Sequence, residues 1–127
     1  MHSPKAKPSI LVVDDLVLNR ILLREIIKGL GFDFEMCENG REAIALLNSK
    51  PFDLVLMDIE MPVMNGIEST HHIRREMPAP LCNIPIVALT AHDPKIFFDD
   101  FKDVGFNEIL TKPYSLTKVQ ELINRFV

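Results

Sequence analysis

Four short apolar runs, each closed by a charged or hydroxyl-bearing residue, set the limits on what this chain can become. Ile10-Leu11-Val12-Val13 leads into Asp14-Asp15, and Phe52-Asp53-Leu54-Val55-Leu56-Met57 into Asp58. Pro85-Ile86-Val87-Ala88-Leu89 leads into Thr90, and Ile109-Leu110-Thr111 into Lys112-Pro113. Runs this short and rich in β-branched residues, spaced by helix-length segments, predict buried parallel strands. An open α/β sheet carries its ligand site beyond the carboxyl ends of such strands. Three carboxylates, a hydroxyl and an ammonium are therefore expected at one edge of one sheet.

The intervening segments carry helical signals. Leu18, Leu22, Ile26 and then Leu23, Ile27, Leu30 predict one apolar stripe on a first helix, closed by Gly31. Phe32 to Cys37 reads as a weaker second strand, and Asn39-Gly40 as a cap or turn before a helix burying Ala43, Ile44 and Leu47. A loop through Met61-Pro62-Val63-Met64-Asn65-Gly66 leads to a helix with Ile67, Thr70 and Ile73 inward. Pro78, Pro80 and Pro85 predict a stiff non-helical connection. Asp93-Pro94 starts the next helix, with a capping side chain followed by proline at the first helical position. Phe97, Phe101 and Val104 stripe it and Gly105 ends it; Phe97 and Phe98 cannot both face inward, so one is expected at the surface. The last helix starts near Ser115 and buries Leu116, Val119, Leu122 or Ile123, and Phe126.

Five strands alternating with five helices specify an α/β protein, and right-handed crossovers leave few topologies. A doubly wound, flavodoxin-like parallel sheet in the order 2-1-3-4-5 puts the first and third strands together at the switch point. Asp14, Asp15 and Asp58 are then neighbours. Crowded carboxylates repel, and one has its pKa raised unless a cation sits among them. Mg2+ suits such a site, being hard and held by carboxylates, waters and phosphate oxygens. A carboxylate there can attack a phosphoryl group, with Lys112 pairing one phosphoryl oxygen and Thr90 donating to another.

Composition narrows the alternatives. At 127 residues with a formal charge of −4, the chain fits one domain and offers no basic surface for nucleic acid. Two cysteines, Cys37 and Cys82, read as free thiols of a reducing cytosol rather than a disulfide scaffold. No apolar stretch approaches the ~20 residues of a membrane span. Residues 1–9, polar and proline-rich at their start with no apolar signal core, read as a lead-in or linker stub before a domain at 10–127. A cytoplasmic location is expected. His71-His72 do not make a metal pair, since helix neighbours point about 100° apart.

The chain resembles response-regulator receiver domains of two-component signalling from Ile10 to Phe126. The resemblance rests on Asp14-Asp15, on Met57-Asp58-Ile59-Glu60-Met61-Pro62-Val63-Met64-Asn65-Gly66, on Ala88-Leu89-Thr90-Ala91 and on Leu110-Thr111-Lys112-Pro113. Asn19-Arg20 and the run from Pro85 to Ala91 look most like receivers of hybrid histidine kinases. The resemblance implies that Asp58 is the phosphoacceptor. It implies that Asp14 and Asp15 hold Mg2+, Asp15 being the more direct ligand of the two, with Asp58 and the backbone carbonyl of Glu60 completing the protein's share. It implies that Thr90 and Lys112 sense the phosphoryl group, and that Glu60 and His92 face it and tune its lifetime. The expected partner is a histidine kinase or histidine phosphotransfer protein, with a possible output partner. Such a domain is a regulatory switch that promotes its own phosphorylation and dephosphorylation rather than an enzyme.

Three positions depart from the family pattern. Leu16 follows the acidic pair where a polar residue is common, and Asn65 stands where aspartate is common. Ile109 occupies the place of a switch aromatic, so the output change is expected in the loop after Thr90 and the helix from Asp93 to Val104. Leu16, Val17 and Ile21 are either further core contacts or an apolar patch that docks a histidine-bearing helix. Three other functions compete. A flavoprotein on this sheet wants a Ser/Thr/Gly-rich phosphate loop where Asp14-Asp15 stand. An aspartyl phosphatase wants a second carboxylate in an Asp-x-Asp pattern, but Asp58 is followed by Ile59 and Glu60. A degenerate receiver would bind partners without phosphorylation.

Overall fold

The computed structural model describes residues 7–127. Five parallel strands, β1 (Ser9–Val13), β2 (Asp33–Cys37), β3 (Leu54–Asp58), β4 (Ile86–Thr90) and β5 (Glu108–Thr111), pair in the order β2-β1-β3-β4-β5. Helices α1 (Val17–Gly29), α2 (Gly40–Ser49), α3 (Gly66–Glu76), α4 (Pro94–Phe101) and α5 (Leu116–Phe126) alternate with them. The order and the alternation are those expected from the apolar runs. Most of the lead-in read over residues 1–9 falls outside the described residues; within it, Ser9 already belongs to β1 and its N–H donates to Asp53 at 2.7 Å.

Successive residues of the buried strands face opposite sides, which splits the interior into two layers. Ile10, Val12, Leu54, Leu56, Val87 and Leu89 pack against α1 and α5. Leu11, Val13, Val55, Met57 and Ile86 pack against α2, α3 and the segment after it. Covering both faces is what makes the strand sequences continuously apolar.

Capping follows the sequence closely. The Asn39 side chain accepts from the Glu42 N–H at 3.0 Å, and Asp93 caps α4 with Pro94 in its first turn. Asn65 and Glu68 form a reciprocal capping box on α3, so asparagine serves where aspartate was the family habit. Gly66 packs directly against the end of β3. A Cβ there would lie 2.2 Å from the Asp58 carbonyl oxygen, so α3 can begin against the end of β3 only with glycine. Just before it, Val63 has φ 69° and the Met64 N–H donates to the Pro62 carbonyl at 2.7 Å. That is a γ-turn with positive φ, a strained conformation for a β-branched residue.

Several side-chain placements correct the sequence reading. Leu18 and Leu22 do not join the buried stripe; Leu18 is 80% exposed. The core face of α1 runs through Leu23, Ile26 and Ile27, with Leu30 partly buried. Going back three and four residues from Leu23 along that face meets Arg20 and Asn19, because this end of α1 overhangs the sheet edge rather than the core. Leu116 is likewise exposed in the first turn of α5, while Val119, Leu122 and Ile123 are all buried. Phe97 is buried and Phe98 exposed; α4 ends at Phe101, so Val104 lies in the turn beyond it. The proline-rich connection contains one 3-10 turn, Leu81–Asn83. The strands after α1 and α2 start at Asp33 and Leu54, slightly later than the apolar runs.

Candidate functional site

Strand register assembles the acidic edge. Val13 lies opposite Met57, so the residues that follow, Asp14 and Asp58, come level with each other. Asp58 in turn lies opposite Leu89, one residue before Thr90, and Thr90 opposite Thr111. The Lys112 N–H donates to the Thr90 carbonyl at 2.8 Å, which carries the pairing one residue further and aims the lysine across the edge. Its Nζ is 3.2 Å from Asp58 Oδ1 and 3.9 Å from Asp14 Oδ2. Carboxylate oxygens of Asp14, Asp15 and Asp58 all lie within 4.8 Å of one another. Five residues from four strand ends thus meet in one place.

Asp14 is held on three sides. Its N–H donates to the Cys37 carbonyl at 3.1 Å, its Oδ1 accepts from the Leu16 N–H at 2.9 Å, and its carbonyl accepts from Arg20 Nη1 at 2.7 Å. Its Oδ2 is buried with no hydrogen-bond partner among the described residues. A fully buried carboxylate oxygen in that state calls for a cation or water. Asp58 is 3% exposed, and its Oδ1 also accepts, at 3.4 Å, from the Glu60 N–H. Burial first, and Asp14 second, push its pKa up to about 6 against the pull of Lys112 and the Glu60 amide. Three hard oxygen donors around a buried, unpartnered oxygen fit a small divalent ion such as Mg2+.

The rim brings Glu60 and His92 together, with His92 Nε2 3.1 Å from Glu60 Oε1. The Thr90 hydroxyl accepts from the His92 N–H at 3.0 Å, linking the buried hydroxyl to the exposed loop. Ile109 is not part of this assembly. It packs with Phe101, Phe106 and Phe97 between α4 and β5, beside a cavity of about 60 Å³.

Two residues at the site escaped the sequence reading. Tyr114 packs on the α1/α5 layer, and its buried hydroxyl lacks a partner among the described residues. Burial, then Asp14 and Asp58, raise its pKa. Its signal was its place two residues after Lys112. Arg20 was visible as a polar residue at a core-facing position of α1.

The model of the response regulator receiver domain matches residues 10–124. The sensor histidine kinase GacS of Pseudomonas protegens is 35% identical over 117 residues, 91% of this chain but 13% of that protein. The chain therefore spans a small part of the curated relatives it matches. The receiver domain of the sensor histidine kinase PA1611 from Pseudomonas aeruginosa PAO1 superposes with a TM-score of 0.86 at 27% identity, covering 95% of this chain and 98% of that one. That structure holds a magnesium ion in its active-site cleft. The receiver domain of Ssk1 from Saccharomyces cerevisiae, solved with the histidine phosphotransfer protein Ypd1, gives 0.83 at 29% identity, covering 94% of this chain and 88% of that one. With its strand order, its acidic edge and a family match over nearly its whole length, this chain belongs to the response regulator receiver domains of two-component signalling.

Proposed function

We propose that Asp58 accepts a phosphoryl group from a phosphohistidine on a partner kinase or phosphotransfer protein, and that the resulting charge switches the face formed by β4, α4 and β5. The observation that carries this is the buried Asp58 carboxylate, level with Asp14 and faced by Lys112. Lys112 and the Glu60 amide both engage Oδ1, which leaves Oδ2 as the nucleophile. Oδ2 forms a bond to phosphorus, the P–N bond breaks, and its electron pair returns to the imidazole, which takes up a proton. Lys112 then moves its charge from carboxylate to phosphoryl oxygen, and the Thr90 hydroxyl donates to a second oxygen. Asp14, Asp15, Asp58 and the backbone carbonyl of Glu60 would hold Mg2+, which would supply charge neutralisation and alignment. The domain is a cytoplasmic regulator that acts through protein contacts. Glu60 and His92, paired with each other at the rim, control water access, which sets the lifetime of the acyl phosphate.

The docking surface for the histidine-bearing partner is the exposed face of α1 beside the site. Leu16, Val17, Leu18, Ile21 and Leu22 are all exposed there, a larger apolar patch than the three residues read from sequence. An apolar patch next to a phosphoacceptor fits a helix that presents its histidine edge-on.

Incubation with acetyl phosphate and Mg2+ is expected to add one phosphoryl group, measured by intact mass, and Asp58→Ala to abolish it. No adduct on the unaltered chain would instead support a phosphorylation-independent binding module. Replacing Glu60 and His92 together by alanine should change the decay rate of that adduct severalfold; an unchanged rate removes their tuning role. Leu18→Glu should slow transfer from a phosphorylated histidine phosphotransfer protein about tenfold or more, since a buried interface charge is costly, while leaving labelling by acetyl phosphate intact. Equal loss in both assays would place Leu18 outside the docking surface.

Burial of the Asp58 carboxylate, with Asp14 beside it, also has a cost in stability. Folded Asp58 binds its proton more tightly than the unfolded chain does, with a pKa of about 6 against 3.8. Stability in Mg2+-free buffer therefore falls as pH rises between those values and stays lowered above them. Asp58→Asn should raise unfolding free energy at pH 7.5 in EDTA by about 1–3 kcal/mol, with the gain gone near pH 4. Equal denaturant midpoints for the two proteins at pH 7.5 would contradict this.

A further inference from the structure

We infer that Arg20 is a positioning residue of the acidic site: it holds the backbone of Asp14 so that one carboxylate oxygen stays free for the metal. The inference rests on the Mg2+-site reading above and names what gives that site its shape.

Arg20 sits in the first turn of α1, on the face that Leu23, Ile26 and Ile27 continue into the core. A cation there opposes the helix dipole, and it also adds positive charge beside a site that binds a cation. Its side chain is only 18% exposed. Its charge is offset by Glu38 and the nearby carboxylates but opposes the helix dipole and a bound cation, so the specific argument is the geometric one. Nη1 reaches over the β1–α1 connection to the Asp14 carbonyl at 2.7 Å, and Nη2 lies 3.5 Å from Glu38 Oε1 on the β2–α2 connection. Glu38 is anchored in turn, its N–H donating to Glu42 Oε1 at 2.8 Å. One guanidinium thus ties together the two loops that flank Asp14.

The effect on Asp14 follows from its other bonds. The Cys37 carbonyl holds its N–H and the Leu16 amide holds Oδ1, so fixing the carbonyl leaves the residue little freedom to rotate. Oδ2 is the atom left over, buried and unpartnered among the described residues. Without Arg20 the Asp14–Leu16 turn can reopen, and Oδ2, now 3.9 Å from Lys112 Nζ, can close onto that ammonium or turn to water. Groups that orient metal-ligating side chains from behind are worth a good part of the affinity.

The test exploits a conflict of signs. Deleting a cation next to a cation site should tighten Mg2+ binding if charge alone matters. The positioning role requires the opposite: Arg20→Met should weaken Mg2+ binding roughly 10–100-fold, measured by calorimetric titration of the folded protein. Arg20→Lys keeps a donor that can reach the Asp14 carbonyl and should recover most of that loss. Arg20→Gln, polar but too short to reach, repeats the deletion at lower packing cost and should behave like Arg20→Met. In Mg2+-free spectra the Leu16 amide resonance should shift in the two deletion variants and not in Arg20→Lys. Affinity in the deletion variants equal to or tighter than that of the unaltered chain overturns the inference while leaving the Mg2+ site standing. No Mg2+ binding by the unaltered chain overturns the site reading and this inference with it.

Discussion

The pairing of β1 with β3 is the constraint from which the rest of the molecule follows. Val12 and Leu56 must face α1 and α5 while Val13 and Met57 face α2 and α3. A slip of one residue would exchange the faces of a whole strand and bury nothing correctly, so core packing enforces the register. The register in turn brings Asp14 level with Asp58. The acidic site is therefore not held by polar contacts alone. Hydrophobic burial on both faces of the sheet drives like charges together and keeps them there, and burial first, with Asp14 second, raises the pKa of Asp58.

Lys112 offsets these effects only in part. One ammonium shared between two carboxylates, at 3.2 and 3.9 Å, leaves Asp14 Oδ2 without a proper hydrogen bond. A site over-supplied with negative charge in this way favours a cation among its carboxylates.

The parts of this design legible in sequence are those that follow from burial on both sides. Fully buried parallel strands leave uninterrupted apolar runs, and the residues that end them are plain to see. The helices are half-buried, and there the reading was weaker. Apolar residues cover most of the surface of α1, so Leu18 and Leu22 looked as suitable for the core as Leu23 and Ile27. What separates them is where the helix crosses the end of the sheet, a tertiary fact. Asn19 and Arg20 were the better clue, since polar residues on a core-facing arc mark the part of a helix that leaves the core. The γ-turn at Val63 left no local trace, because valine is the last residue type that positive φ would suggest. Its conformation is imposed by the loop, where the Met64 carbonyl accepts the Gly40 N–H at 2.9 Å and Gly66 must meet β3.

On the proposed function, the way out of the site runs through Thr90 and the loop that follows it. A hydroxyl has one donor and two acceptor positions. Thr90 uses an acceptor position for the His92 N–H, so it can donate toward a phosphoryl oxygen without giving up that bond. Any shift of Thr90 then draws His92 with it, and Asp93, the next residue, is the cap of α4. That helix has eight residues and one buried side chain, Phe97, whose ring lies 5.0 Å from Phe101 and 5.7 Å from Phe106. Behind them, Ile109 fills less space than a ring would, and a cavity of about 60 Å³ remains beside it. Dense cores resist displacement because every atom has neighbours to lose. Here the resistance is low on the side where the loop pulls. The rings beside this cavity come from α4 and the turn after it, through Phe97, Phe98, Phe101 and Phe106, and none comes from β5.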